Sequence, residues 1–129
     1  MDCSVLIVDD SPILRAAIKK AVVLAGVPAD RITQAGNGQE AIDQMDAAPV
    51  DLVLLDLNMP VMDGEEFART VKAQGHHASV PIIVVSTETN KDRLARMREL
   101  GAIGVLNKPF EPEELLRFIN SHVTGASNA

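Results

Sequence analysis

The stretch Val50-Asp51-Leu52-Val53-Leu54-Leu55-Asp56-Leu57-Asn58-Met59-Pro60 decides the fold. Its apolar run, Val50 to Leu55, is of strand length and too short for a buried helix, so it reads as a strand buried on both faces. It stops abruptly at an acid, Asp56, with a polar residue and a proline close behind. Strands apolar on both faces belong in a parallel sheet covered by helices on either side. In such sheets ligands sit beyond the carboxyl ends of the strands, which places Asp56 where chemistry is to be sought.

Outward from this strand the same alternation repeats. Val5 to Val8 and Ile82 to Val85 are short apolar runs, and Arg31 to Ala35 and Ile103 to Leu106 are weaker strands. Between them lie helical patterns. Leu14, Ala17, Ile18, Ala21, Val22 and Ala25 recur at 3.6-residue spacing, with Ser11-Pro12 as N-cap and first turn and Gly26 as stop. Further helices are expected over Gln39 to Met45, Glu65 to Ala73 with Gly75 beyond, Lys91 to Leu100 with Gly101 beyond, and Pro112 to His122. Leu94 and Met97 should face inward from the fourth helix, and Leu115, Leu116 and Ile119 from the fifth. Five strand–helix repeats with right-handed crossovers make an α/β domain with a five-stranded, doubly wound parallel sheet and five helices. It should span residues 1–123, followed by a small polar tail, Thr124 to Ala129.

Composition narrows the function. The chain has 129 residues, room for one domain, and 47% are hydrophobic, enough for a core without disulfides or a structural metal. A net charge of −6 argues against a nucleic-acid binder, which would carry a basic stripe. The sole cysteine, Cys3, has no internal partner and reads as a small buried hydrophobe, in keeping with a reducing, cytoplasmic setting. The sequence lacks a signal-peptide pattern and an apolar run long enough for a membrane span. His76-His77, in a loop, reads as a pair of surface residues.

The strand ends carry the chemistry. Strand one ends in Asp9-Asp10, strand three in Asp56 with Asn58 beyond, strand four in Ser86-Thr87 with Glu88 beyond, and strand five in Asn107-Lys108-Pro109. Singly, an acid in such a place is a cap or turn former and a lysine is a surface charge. Together they put three carboxylates, a hydroxyl and an ammonium on one edge. Two like charges about 4 Å apart repel by about 4 kcal/mol at an effective dielectric of about 20, so this cluster calls for compensation. Lys108 supplies one charge, and a hard divalent cation on oxygen ligands, Mg²⁺ above all, supplies the rest. A carboxylate nucleophile, a metal, a lysine and a hydroxyl are the parts of a phosphoryl-transfer site.

These residues resemble the receiver domain of two-component response regulators, most closely stand-alone CheY-like proteins. The resemblance runs from Val5 to Val123. It rests on Val8-Asp9-Asp10-Ser11, Leu55-Asp56-Leu57-Asn58-Met59-Pro60, Met62-Asp63-Gly64, Val85-Ser86 and Lys108-Pro109-Phe110, in that order. It implies the strand order 2-1-3-4-5. It implies that Asp56 is the phosphoacceptor, that Asp9, Asp10, Asp56 and the backbone carbonyl of Asn58 hold Mg²⁺, and that Ser86 and Lys108 meet the phosphoryl group. It also implies a cis Lys108-Pro109 peptide and a tight turn at Gly64. Asn58 and Glu88 take the two positions that tune dephosphorylation, and their low bulk predicts a fast reset. The partners implied are a histidine kinase or phosphotransfer protein, docking near helix one with its Arg15, Lys19, Lys20 and Ile13, and a downstream protein, the flagellar motor among the candidates. The protein would act as a monomer by protein–protein contact and not as an enzyme on other substrates.

One position departs from the family. Where an aromatic often stands in strand five, this chain has Val105, and it contains no Tyr or Trp at all. Output should then rest on the loop after Ser86 and on the fourth helix. There Arg93 and Arg96 share a face and predict a basic surface for an acidic partner. A magnesium-dependent phosphatase of the haloacid-dehalogenase type would need an aspartate where Asn58 stands. A flavodoxin-like cofactor binder would find its phosphate repelled by Asp9-Asp10. Within the receiver reading, a phosphorelay shuttle, a phosphate sink and a receiver cut from a larger regulator remain alternatives, although Met1 and the polar tail look like the ends of a complete chain.

Overall fold

The computed structural model describes residues 3–75 and 77–121. Elements follow in the order β1 (Val5–Val8), α1 (Pro12–Leu24), a 3₁₀ turn (Ala29–Arg31), β2 (Ile32–Ala35), α2 (Gly38–Ala47), β3 (Leu52–Leu55), α3 (Gly64–Gln74), β4 (Ile82–Ser86), α4 (Lys91–Glu99), β5 (Ala102–Asn107) and α5 (Pro112–Ile119). The five strands form one parallel sheet in the order β2-β1-β3-β4-β5.

Strand alternation divides the core in two. Leu6, Val8, Val53, Leu55, Ile82 and Val84 point to the face covered by α2, α3 and α4, where Phe67 and Met97 are fully buried. Val5, Ile7, Leu52, Leu54, Ile83 and Val85 point to the other face, covered by α1 and α5 through Ile18, Val22, Leu115 and Ile119. Truncating Phe67 to Ala would cost about 3–5 kcal/mol, the usual range for a large core aromatic.

The helices start where their caps put them. Ser11 Oγ accepts from Leu14 N at 3.2 Å, Asn37 Oδ1 from Glu40 N at 2.9 Å, Asp63 Oδ1 from Glu66 N at 2.9 Å and Asn90 Oδ1 from Arg93 N at 3.0 Å. Each satisfies one amide that the first helical turn leaves unpaired.

Several expectations shift. β3 begins at Leu52 because Asp51 is taken up by an edge contact: its carboxylate accepts from Ser4 N at 2.8 Å and its own N–H donates to Ser4 O at 2.8 Å. From α5 it is Phe118, besides Leu115 and Ile119, that packs on the core, while Leu116 is half-buried. Gly104 makes room for Phe118, whose ring carbon Cε1 lies 2.7 Å from where a Cβ would stand. His77 is half-buried, with Nε2 2.8 Å from Asp46 Oδ1, so it is no simple surface residue. His76, the expected end of α5 at His122 and the tail from Thr124 lie outside the described residues.

Candidate functional site

Register brings the strand ends together. Val8 pairs with Leu55 and Leu55 with Val84, so Asp9 and Asp56 leave the sheet side by side. Ser86 pairs with Asn107, and Lys108 follows directly. Among the described residues the buried polar or charged side chains are Asp9, Asp56 and Ser86, and all three stand at this edge. Elsewhere the sheet buries apolar groups only, as the cost of desolvating polar ones demands.

The buried charges are paired. Lys108 Nζ donates to Asp9 Oδ2 at 2.6 Å and lies 3.5 Å from Asp56 Oδ2. Asp9 Oδ1 accepts from Ser11 N at 2.9 Å. The Lys108–Pro109 peptide is cis, and Lys108 N donates to Ser86 O at 2.9 Å, tying the two strand ends. Burial pushes the Asp56 carboxyl above its ordinary range; Lys108 pulls it back, Asp9 adds to the rise, and Ser86 and the Asn58 N–H hold it down. Asp56 is thus a desolvated carboxylate kept ionisable by one adjacent ammonium.

The acids fit a metal. Asp9, Asp10 and Asp56 each offer a carboxylate oxygen, all within 4.8 Å of one another. Opposed ligands on Mg²⁺ stand about 4.2 Å apart, twice its bond length of about 2.1 Å, so this cluster is close to the size required. Asp10 is exposed, leaving an aqueous side to the group, as suits an ion that keeps several waters.

Two glycines in or beside the acceptor loop permit close packing. A Cβ on Gly64 would run into the backbone oxygen of Asp56 and stand 2.8 Å from Leu57 Cα. Gly38 N donates to Met62 O at 2.9 Å, and a Cβ there would meet Met62 Cγ at 2.7 Å. Between them Val61 has φ 66° and is exposed.

Three basic residues differ from expectation. Arg15 turns inward: Nη1 donates to the Asp9 carbonyl at 2.6 Å and Nε to Gln34 Oε1 at 3.1 Å, so it braces the end of β1. Arg93 and Arg96 do share a face of α4, but acids of this chain already occupy it. Arg96 Nε donates to Glu65 Oε2 at 3.0 Å. Arg93 reaches Glu88 Oε1 at 2.6 Å, Asn58 Oδ1 at 2.8 Å and the Leu57 carbonyl at 3.1 Å. Its side chain is 19% exposed and offers little open charge to a partner. Glu88 and Asn58, read as small open positions, are therefore tied to each other through Arg93. Nothing local signals this, because Arg93 stands 35 residues from Asn58. Val105 is half-buried and packs against the core on the α2–α3–α4 face.

The chain is 32% identical over 122 residues to the nitrate/nitrite response regulator NarL of Escherichia coli, covering 95% of this chain and 55% of that protein. It therefore spans about half the length of that relative. The crystal structure of the chemotaxis protein CheY4 of Vibrio cholerae superposes with a TM-score of 0.84 at 35% identity, covering 94% of this chain and 98% of that one. The receiver domain of the sensor histidine kinase PA1611 of Pseudomonas aeruginosa, which holds a magnesium ion in its active-site cleft, superposes with a TM-score of 0.82 at 25% identity, over 96% and 99% of the two chains. With five parallel strands in the order 2-1-3-4-5, an acidic pair beside Asp56, a lysine on a cis-proline turn, and a match of residues 5–120 to the response regulator receiver domain model, the chain belongs to that family.

Proposed function

We propose that the protein is a phosphorylation-driven switch of two-component signalling in which Asp56 accepts a phosphoryl group from a histidine kinase or phosphotransfer protein. The observation that carries this reading is the confinement of the buried polar side chains, among the described residues, to Asp9, Asp56 and Ser86. An Asp56 oxygen attacks phosphorus in line, the P–N bond of the donor phosphohistidine breaks, and the electron pair leaves with the imidazole. Asp9, Asp10, Asp56 and the Asn58 carbonyl would hold a magnesium ion, whose charge offsets that of the phosphoryl oxygens when bound. Lys108 and Ser86 supply a cation and a hydroxyl to the same oxygens. The acyl phosphate adds roughly two negative charges, which draw these groups in and shift the loop after Ser86 toward α4. Water then attacks phosphorus, the Asp56–phosphorus bond breaks, and the carboxylate and inorganic phosphate are restored.

The likeness to CheY4 supports a chemotaxis-type output by contact with a downstream protein, in a cytoplasmic setting and with Val105 as a small residue in the switch. A second reading has its own support: the match covers only 55% of NarL, and the PA1611 receiver is part of a sensor kinase. On that reading the chain serves as the receiver of a larger regulator or relay. Acetyl phosphate with Mg²⁺ should label the wild type and leave Asp56→Asn unlabelled; labelling of the variant would sink the proposal. Pull-downs with and without beryllofluoride then separate an output protein from a relay partner.

A further inference from the structure

Arg93 makes more contacts than a helix-surface arginine needs. Nη1 serves both Asn58 Oδ1, at 2.8 Å, and Glu88 Oε1, at 2.6 Å. Nη2 donates to the Leu57 carbonyl at 3.1 Å and lies 3.6 Å from Asp63 Oδ2, while Nε lies 3.5 Å from Glu65 Oε1. The second oxygen of Glu88 is also committed, accepting from Thr89 N and Asn90 N at 3.1 Å each. Glu88 N in turn donates to Ser86 Oγ at 3.2 Å. A hydrogen-bonded path therefore runs from Ser86 through Glu88 and Arg93 to Asn58, two residues beyond Asp56. A planar fork of donors can hold a carboxylate and a carboxamide together; an ammonium of similar reach cannot fix both in one geometry.

In transfer to Asp56, the apical position opposite the attacking oxygen is held by the donor's leaving group. In hydrolysis the same position is held by water. A group that narrows access there slows loading and reset alike. Resting on the phosphoacceptor reading above, we infer that Arg93 is a positioning residue that holds Asn58 and Glu88 together beside Asp56, restricting this shared approach and so setting both rates. The reset is then slower than the small side chains of these two residues would allow by themselves.

The test uses the full chain with Mg²⁺ and acetyl phosphate, following label on Asp56 as it is gained and, after donor removal, lost. Arg93→Ala should raise both rate constants together by about ten-fold, the order expected for loss of a charge-assisted bond. Arg93→Lys should recover only part of the restraint. Arg96→Ala, on the same helix face but touching neither Asn58 nor Glu88, should leave both rates at the wild-type value. Arg93→Met keeps the packing stem without the donors and gives the same answer if the alanine variant is poorly folded. Rates within two-fold of wild type for both Arg93→Ala and Arg93→Met, a change in only one of the two rates, or an equal effect of Arg96→Ala would overturn the inference. Failure of the wild type to take up label would overturn the phosphoacceptor reading itself, and this inference with it.

Discussion

Lys108 and Arg93 both bring positive charge to the neighbourhood of Asp56, one from the end of β5 and the other from α4. Lys108 is a point charge set between two carboxylates, 2.6 Å from Asp9 and 3.5 Å from Asp56, with Asp9 almost wholly buried. Arg93 is a fork that spreads over neutral and acidic acceptors from two loops and α3. The lysine offsets the electrostatic cost of having the site; the arginine governs the loops around it. Loss of the first should therefore act on stability and chemistry together, and loss of the second chiefly on rates.

The largest effect that would break this contrast is expected at Lys108. Lys108→Ala strands the buried Asp9 and Asp56 and should cost about 3 kcal/mol at pH 7 by urea unfolding. Without the ammonium that pulls it back, the buried Asp56 carboxyl binds a proton more readily folded than unfolded, so the folded state holds the extra proton and stability falls as pH rises. The loss should be smaller at pH 4 than at pH 7, and Mg²⁺ should restore part of it. An equal loss at both pH values would mean that Lys108 acts by packing and not by charge.

Asp56 itself gives the next effect. Its folded pKa is raised above the ordinary value near 3.8, first by burial. The resulting penalty is absent below that value, grows as pH rises through the folded pKa, and is complete above it. Asp56→Asn should therefore melt higher than the wild type at pH 7 in EDTA, with the gain vanishing toward pH 3. Mg²⁺ should narrow the gap, since the wild type offers it a third carboxylate. A variant that melts lower than the wild type at pH 7 in EDTA would contradict the burial argument.

On the Arg93 side the effects shrink. Glu65 is held below its ordinary range, first by its bond with Arg96 and further by Arg69. It stabilises the fold above about 4.5, and this support is lost as pH falls through the depressed value. Arg96 and Arg69, which hold it down, are half-exposed, so Glu65→Gln should cost under about 1 kcal/mol at pH 7 and nothing near pH 2. A loss of the size expected at Lys108 would erase the distinction between the two sides. Smallest is Val61→Gly. Relief of a β-branched residue at φ 66° is worth about 1–2 kcal/mol. Glycine gives back roughly 0.5–1 of that in chain entropy. A net gain of about 0.5 kcal/mol in chemical unfolding is expected, and a net loss would show that the loop needs the Val61 side chain.

What is legible in the sequence follows the same division. Asp9, Asp10, Asp56, Ser86 and Lys108 each stand at or just beyond the end of a strand that the sequence marks, most weakly for the fifth, and parallel register does the rest. The cap at Ser11 is local and reads directly from the sequence, whereas Asn37, Asp63 and Asn90 emerge as caps only in the structure. Phe118 against Gly104 was missed because a helical repeat shows which side chains share a face, not which find space across it. By sequence alone Arg93 reads as a surface charge, because most of its partners lie on other segments and a long side chain goes where acceptors cluster. Only the packing of α4 beside the acceptor loop reveals that cluster.

The Asp9–Lys108 bond joins residues 99 positions apart. At a synthesis rate of about 5–20 residues per second, its second half leaves the peptidyl-transferase centre roughly 5–20 s after its first. Until Lys108 is added, Asp9 and, from about midway, Asp56 have no ammonium between them. A growing chain thus cannot display the charge-balanced edge that its finished form carries. The edge is therefore balanced only after the fifth strand has been made, and the first strand waits for the last.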